Sequence, residues 1–474
     1  MTEYLNMMYR IKIMLLIVIC MINIPVVLAW PVYLHFGTGE TQGVKVKGKE
    51  YRITLEQIEY ITVPNNRKPA SIGARTLQEA KVTLSVNGET ITLTQRPYQL
   101  PVDFMGLRLY VENTRDWVKK AGKFQAVKHF PKDAKIALTA TGEPWGPDTM
   151  RFPVLEYRWR SSNYNNTWSS LVPGKNVYYH RGEDFGLAPD RYHIQAILDG
   201  VVQATPLPDG DGASNEIIVK HSDDFSYRVS HVNTGTVKEN ILKGKSVKTG
   251  QLLAQGGRTY KGKEKMNNPH LHINFIYRGE AVSTYPYLVE AYMREYPDNV
   301  LAVAGGIQYA SEGKEVNLDA SRSVVREGHS IQQYIWELPN GKTLKGEKQK
   351  IVFDKAGSYP VTLRIQTDAG DEDTDNLQVY VLNEKREFND FLGYFYTNPM
   401  RLRVKEEFTL WRPWRKGWAN KPLSVDFGDG TKLKKAGLVT HHVYKKPGIY
   451  TITLTARKPS ERPATVKLKV MVDK

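Results

Sequence analysis

Short runs of alternating apolar and polar residues fill most of the chain, separated by glycine, proline, asparagine and aspartate. Examples occupy Lys81 to Val86, Ile351 to Phe353 and Tyr450 to Ala456. A period of two places the apolar side chains on one face of a β-strand, and frequent turn residues are typical of β-sandwich or barrel domains. Helical spacing is clearest from Pro286 to Tyr296. The pattern therefore predicts a mainly β protein with little helix.

Composition and turn-rich stretches divide the chain into segments. A length of 474 residues predicts three or four domains. We predict a signal peptide at 1–29, an N-terminal β region at 30–150, a β-rich domain with the clustered histidines at 151–297, and two immunoglobulin-like β-sandwiches at 298–384 and 385–474.

The first residues have the features of a secretory leader. Two basic residues precede an apolar run that ends at Leu28, and Val27-Leu28-Ala29 is a small-residue cleavage signature. The alternative is a retained membrane anchor, because the run is close to the length of a spanning helix. We expect cleavage after Ala29 and a secreted, extracellular or periplasmic protein with no stable membrane insertion. The only cysteine, Cys20, would be lost with the leader, so any metal must be held by histidines and carboxylates.

The charge balance favours an anionic environment. Lysine and arginine total 66 against 50 acidic residues, a formal net charge of +16. Such a charge suits retention on a polyanionic envelope. The basic residues are scattered through strand-like segments and form no recognisable binding module, so we expect no nucleic-acid partner.

Candidate chemistry is concentrated in the third segment. His180-Arg181-Gly182-Glu183-Asp184 places an imidazole four residues before a carboxylate, and Gly182 permits a tight backbone path between them. His270-Leu271-His272 follows later in the chain, within a strand-like run. Because residues i and i+2 of a strand point to the same face, His270 and His272 can project into one cavity.

These residue types suit a hydrolytic zinc site. Zinc in such sites takes three protein ligands and leaves one position for a water molecule, which becomes an effective nucleophile near neutral pH. His180, Asp184 and one histidine of the His270/His272 pair supply three ligands. The remaining histidine can act as a general base or stabilise an oxyanion, and His231 is a further candidate for that role.

The order of five motifs in this segment resembles that of lysostaphin-type, or LytM-like, zinc endopeptidases. The motifs are residues 180–185, 194–202, 230–232, 247–254 and 269–272. The resemblance implies a β-rich catalytic domain in which His180, Asp184 and His272 bind one Zn²⁺ per chain while His231 and His270 assist catalysis. It also implies hydrolysis of peptide bonds, with peptidoglycan peptides or another extracellular peptide polymer as the partner.

The C-terminal segments resemble PKD domains, which are immunoglobulin-like sandwiches common on secreted proteins. The second segment carries Asp426-Phe427-Gly428-Asp429-Gly430 and the alternating run from Pro447 to Leu454. The first segment has a looser version, with Leu338-Pro339-Asn340-Gly341 in place of the usual turn. All proposed ligands precede Pro297, so we expect a fragment of residues 31–300 to retain zinc and activity.

Two other functions fit the same sequence. The chain could be a secreted binding or scaffold protein that keeps the catalytic fold without its activity. It could also be a protease that acts on an extracellular protein. Retention of all five polar residues argues against the first alternative. The sequence does not separate the second from peptidoglycan cleavage, because the substrate groove is built from loops.

Overall fold

The computed structural model describes fifteen stretches of the chain. They are residues 30–64, 75–119, 130–159, 167–172, 178–187, 190–257, 259–260, 263–264, 269–296, 300–385, 396–398, 401–411, 423–437, 439–456 and 464–474. The predicted signal peptide at 1–29 lies outside these residues. Among the described residues, no helix has the length and apolar character needed to cross a membrane.

The N-terminal region is a sandwich of two antiparallel sheets. Its strands are β1 (Val32–Phe36), β2 (Thr41–Val46), β3 (Lys49–Pro64), β4 (Arg75–Val86), β5 (Glu89–Gln95), β6 (Val102–Phe104), β7 (Leu107–Thr114) and β8 (Ala134–Ala140), with helix α1 (Arg115–Lys119) after β7. One sheet has the order β2-β3-β4-β5 and the other β1-β8-β7-β6. Their alternating apolar residues share one core, to which Ile53 and Val82 of the first sheet and Leu109 and Ile136 of the second contribute fully buried side chains.

The histidine-rich domain is built around a seven-stranded sheet. Its elements are β9 (Leu171–Val172), β10 (Tyr178–Tyr179), β11 (Glu183–Gly186), β12 (His193–Gln195), β13 (Gly200–Ala204), β14 (Ile217–Lys220), β15 (Phe225–Ser230), β16 (Ser246–Val247), β17 (Leu252–Gln255), β18 (Thr259–Tyr260), β19 (Lys263–Glu264), β20 (His270–Tyr277), β21 (Glu280–Val282) and helix α2 (Tyr285–Glu295). The sheet order is β11-β20-β15-β14-β13-β16, with β21 also paired to β20. Strand β20 is thus flanked by β11 and β15, which makes it the central support of the candidate site.

The C-terminal part forms two further β domains. Their strands are β22 (Gln308–Ser311), β23 (Glu315–Asp319), β24 (Ile331–Glu337), β25 (Thr343–Lys345), β26 (Lys348–Val352), β27 (Gly357–Thr367) and β28 (Glu372–Leu382), then β29 (Tyr396–Asn398), β30 (Arg401–Arg403), β31 (Glu407–Trp411), β32 (Leu423–Asp426), β33 (Lys432–Leu433), β34 (Val439–Val443), β35 (Gly448–Ala456) and β36 (Ala464–Asp473). Each domain has its own apolar core, centred on Trp336 in the first and on Tyr444 in the second. In each, the strands form one five-stranded sheet and one smaller sheet.

The prediction of a mainly β protein is confirmed, and helix α2 lies within one residue of its predicted bounds. The predicted domain boundaries stay predictions. One structural feature bears on the boundary at 297: Leu301 and Val303 pack into the core of the histidine-rich domain, whereas Val300 and Ala302 pack into the core that follows. The segment is therefore shared by both cores.

Candidate metal centre

Two strand pairings bring the predicted site residues together. In the antiparallel pair of β11 and β20, Asp184 stands directly opposite His272 and Gly186 opposite His270. On the other side of β20, Ser230 at the end of β15 stands opposite His272, so His231 follows immediately beyond the pair. Residues 88 positions apart in the chain thus become nearest neighbours because of the register of one central strand.

Three donor atoms converge at this point. His180 Nε2 lies 3.1 Å from His272 Nδ1 and 3.2 Å from Asp184 Oδ1. His272 Nδ1 lies 2.8 Å from Asp184 Oδ1. Among the described residues, these three side chains are the one His, Cys, Asp and Glu group whose donor atoms all lie within 4.8 Å of one another.

The geometry of these atoms fits a tetrahedral metal ion. Ligand bonds of about 2.0 to 2.2 Å imply separations of about 3.3 to 3.6 Å between tetrahedral ligand atoms. The three separations of 2.8, 3.1 and 3.2 Å are within about half an ångström of that range. Two imidazoles and one carboxylate are also the donor types of hydrolytic zinc sites. The residues present therefore fit the ion that the sequence predicts.

The ring of His180 is fixed by its second nitrogen. His180 Nδ1 lies 3.0 Å from the carbonyl oxygen of Gly182. A carbonyl oxygen only accepts hydrogen bonds, so Nδ1 carries a proton and Nε2 is the nitrogen that faces Asp184 and His272. His180 is 2% exposed, which leaves the ring little freedom to leave this orientation.

The carboxylate of Asp184 is held in its ionised form. Burial is the largest single influence and raises the pKa of the Asp184 carboxyl, whereas the charges of His180 and His270 lower it. Hydrogen bonds from His180 and His272 act in the same direction, so the pKa of Asp184 lies well below its usual range. A deprotonated oxygen is the form that a metal ligand requires.

A second pair of imidazoles lies beside the three donors. The rings of His231 and His270 meet edge to face with centroids 4.7 Å apart. His270 Nε2 is 3.6 Å from Asp184 Oδ2, the carboxylate oxygen that the other two donors do not use. All five predicted site residues are thus gathered in one place, and His193, which we did not assign to the site, is exposed on β12.

The backbone of His231 has an unusual conformation. Its φ is +68°, in the left-handed region that few residues other than glycine adopt. Two hydrogen bonds hold it there: His231 N–H donates to the carbonyl of Ser214 at 2.7 Å, and Gly257 N–H donates to the carbonyl of His231 at 2.8 Å. Backbone strain of this kind is concentrated at functional sites, where the surroundings enforce it.

The sequence analysis did not predict a role for residues 167–170, which hydrogen-bond to the backbone of His180. Thr167 is fully buried and its hydroxyl donates to the carboxylate of Glu183. Trp168 packs against the guanidinium of Arg181 at 5.0 Å. None of the five motifs that carry the resemblance includes these residues.

Comparison with known proteins identifies the domains. The sequence profile of Peptidase family M23 matches residues 178–284, and that of the PKD domain matches residues 299–381 and 420–472. The first range contains all five predicted site residues. The other two ranges lie within the predicted C-terminal sandwiches.

Three solved structures show what the chain is similar to. A zinc-containing peptidase from Vibrio cholerae is 15% identical over 50% of this chain and 85% of its own, with a TM-score of 0.24. The catalytic domain of the prophage-encoded M23 protein EnpA from Enterococcus faecalis is 21% identical over 25% of this chain and 85% of its own, with a TM-score of 0.19. CbpA from L. salivarius REN is 21% identical over 20% of this chain, with a TM-score of 0.15, and the match spans 56% of the length of that protein.

The predicted domain combination is confirmed by the profile matches: residues 178–284 are a LytM-type peptidase domain of family M23, and PKD domains follow it.

Proposed function

We propose that the chain is a secreted zinc endopeptidase that binds one Zn²⁺ and hydrolyses peptide bonds in peptidoglycan peptides. The observation that carries this proposal is the convergence of three donor atoms, 2.8 to 3.2 Å apart, beside a second pair of histidines. The match to Peptidase family M23 supports the reaction class. The net charge of +16 supports an anionic envelope as the place of action.

Each of the five residues has a definite task in this proposal. His180, Asp184 and His272 hold the zinc ion, and the hydrogen bond from His180 Nδ1 to Gly182 keeps the correct imidazole nitrogen turned towards it. When bound, zinc would polarise the scissile carbonyl and activate water for attack.

His231 and His270 supply the proton chemistry. An imidazole with a pKa near neutral takes up and releases a proton readily at the working pH. Both rings lie beside the ligand group, and His270 also lies 3.6 Å from Asp184 Oδ2. One ring accepts the proton of the attacking water and the pair stabilises charge that develops on the substrate carbonyl oxygen.

The alternative of a binding protein with an idle catalytic fold has less support. A fold kept only as a scaffold has no need for a buried carboxylate in contact with three imidazoles, because such a group is costly to bury without a metal or a substrate. The alternative of a protease that acts on an extracellular protein uses the same site and differs only in substrate.

The test measures metal content and substrate cleavage together. Mature chain, residues 30–474, is purified and its zinc content is determined by elemental analysis. Purified sacculi and a glycine-rich protein are then digested side by side, with an Asp184→Asn variant as the control. We expect about one zinc per chain and release of peptide ends from sacculi that the variant does not produce. If zinc-loaded protein leaves sacculi intact but cuts the glycine-rich protein, the substrate is an extracellular protein and not peptidoglycan. A protein that binds no zinc would refute the proposal.

A further inference from the structure

Residues 167–170 form a short segment that is bonded along the metal-ligand loop, although they precede the range that matches family M23. Ser169 N–H donates to the carbonyl of His180 at 2.9 Å, and His180 N–H donates to the carbonyl of Ser170 at 2.7 Å. Both backbone groups of the ligand residue His180 are therefore satisfied by this segment. The placement of the His180 backbone therefore depends on the placement of residues 167–170.

The side chains of the two residues that precede Ser169 extend the contact. The Thr167 hydroxyl donates to Glu183, which directly precedes the ligand Asp184. The indole of Trp168 packs on Arg181, which directly follows His180. The segment thus contacts the ligand loop on both sides of Gly182, at Arg181 before it and at Glu183 after it.

The N-terminal sandwich holds this segment in place. Trp168 Nε1 donates to the carbonyl of Glu112 on β7 at 2.8 Å. Trp117 Nε1 donates to the carbonyl of Ser169 at 3.2 Å, and the amide of Gln95 donates to the Ser169 hydroxyl at 3.2 Å. Ser169 itself has a φ of +66°, a strained conformation that the contacts from Trp117 and Gln95 stabilise.

The same strand of the sandwich also contacts the other half of the site. The carboxylate of Glu112 accepts a hydrogen bond from Ser283 N–H at 2.5 Å, and the Tyr110 hydroxyl lies 3.0 Å from the Ser283 hydroxyl. Lys135 on β8 pairs with Glu280 at 2.5 Å. Glu280 is the first residue of β21 and Ser283 directly follows this strand, which pairs with β20, the strand that carries His270 and His272.

From these contacts we infer that the N-terminal sandwich is part of the catalytic unit, and that Trp168 is a positioning residue that sets the distance between His180 and the ligands on β11 and β20. The inference rests on the proposed zinc site and adds a support that lies outside the family domain. Glu112 links both halves, since its carbonyl holds the segment behind His180 and its carboxylate holds the end of β21.

The test uses the full mature chain and a single change in hydrogen bonding. Trp168→Phe keeps an aromatic ring against Arg181 and removes the N–H that bonds to Glu112. The matched control is Trp336→Phe in the first PKD domain, where another buried indole N–H donates to a backbone carbonyl, that of Gly346, at 3.1 Å. Both variants lose one buried bond of the same kind, and only the first bond leads to the ligand loop.

Three quantities are measured for both variants: the Kd for zinc by chelator competition, the visible absorption spectrum of the cobalt-loaded protein, and the Tm of the metal-free protein. Loss of a partner that orients a metal ligand costs 10- to 100-fold in metal affinity, and Trp168 acts one contact further away, so we expect a rise of about tenfold in Kd. The cobalt spectrum of Trp168→Phe should also shift. Trp336→Phe should match wild type in Kd and spectrum while its Tm falls by a similar amount.

Equal zinc affinity and equal spectra in the two variants would overturn the positioning role. If Trp168→Phe does not fold, Ser169→Ala decides the question, because it removes only the hydroxyl contact to Gln95 and should weaken zinc binding in the same direction. A wild-type chain that gains no Tm from zinc would refute the metal site itself. If the wild-type chain binds zinc and Trp168→Phe binds it with the same Kd, only the positioning role is refuted.

Discussion

Gly182 lies so close to Ile273 that a Cβ atom at residue 182 would be 2.3 Å from the carbonyl oxygen of Ile273. The same atom would lie 2.8 Å from Cε1 of the His272 ring. The φ of Gly182 is +152°, which other residues rarely adopt. The ligand loop can therefore approach β20 only where a side chain is missing, and this approach is what brings His180 to His272.

Gly182→Ala should separate the loop from β20 and weaken the metal site. The clash involves backbone, which cannot move as a flexible side chain does, so we expect a destabilisation of about 2 to 4 kcal/mol and at least a tenfold loss of zinc affinity. Gly279→Ala is the control, since it also has a positive φ, +81°, but its Cβ would meet nothing within 4 Å. It should cost about 1 kcal/mol and leave zinc binding unchanged. Thermal melts and zinc titrations of both variants check this, and equal zinc affinity in the two would contradict it.

The two histidines of β20 should respond differently to replacement. His272→Ala removes one of three donor atoms, so zinc content and activity should fall together. His270→Ala removes a proton-transfer partner and should lower the rate by about 10² to 10⁴ while the zinc stays bound. His231→Ala should behave like His270→Ala, because the two rings are in contact. Zinc stoichiometry and turnover are measured on the same preparations.

His193→Ala provides the control for these replacements, since His193 is exposed and outside the cluster. It should retain zinc and activity. Full zinc content in His272→Ala would contradict its assignment as a ligand, and full activity in both His270→Ala and His231→Ala would contradict the catalytic assignment.

Local patterns in the sequence predicted much of this site. The period of two on β20 placed His270 and His272 on one face, and a glycine between His180 and Asp184 indicated a tight backbone path. The profile matches confirm the domain types that the motifs indicated. The individual roles of the five site residues stay predictions.

Contacts between distant segments could not be predicted in the same way. Trp168 and Glu112 are 56 residues apart, and Glu112 and Ser283 are 171 apart. Each bond uses a backbone group, which every residue possesses, so the sequence holds no sign of the pairing. The close approach of Gly182 to Ile273 is hidden for the same reason, because it depends on the register between β11 and β20.

Glu112 should make the stability of the metal-free protein depend on pH. Burial raises the pKa of its carboxyl to about 7, against the opposing influence of Lys135, the Ser283 N–H and Arg181. In the unfolded chain the pKa is about 4.3. Between these values the folded protein keeps the proton that the unfolded chain has lost, so stability falls as pH rises through about 4.3 to 7, by about 4 kcal/mol in all.

Glu112→Gln tests this dependence, because the amide oxygen still accepts from Ser283 and carries no charge at any pH. The variant should be more stable than wild type at pH 8, and the gap should close as the pH is lowered to 4. Tm measured across that range in the presence of a chelator checks the prediction. The control is Glu89→Gln at the exposed start of β5, which should follow the wild-type curve. A constant gap between Glu112→Gln and wild type would show that Glu112 does not titrate in this window.

The last prediction concerns where the catalytic unit ends. Leu301 and Val303 are each 1% exposed and pack into the core of the M23 domain. Burial of such a side chain contributes about 1.5 to 3 kcal/mol. A fragment of residues 30–300 lacks both side chains, whereas a fragment of residues 30–304 keeps them. We expect both fragments to bind zinc, because every proposed ligand precedes residue 297, and we expect the longer one to be more stable by about 3 to 5 kcal/mol.

Ala302→Ser in the longer fragment is the control, since Ala302 packs towards the absent PKD core and its replacement should leave the Tm unchanged. Equal Tm values for the two fragments would mean that Leu301 and Val303 do not complete the core. Loss of zinc from the longer fragment would mean that the first PKD domain is itself needed to hold the site.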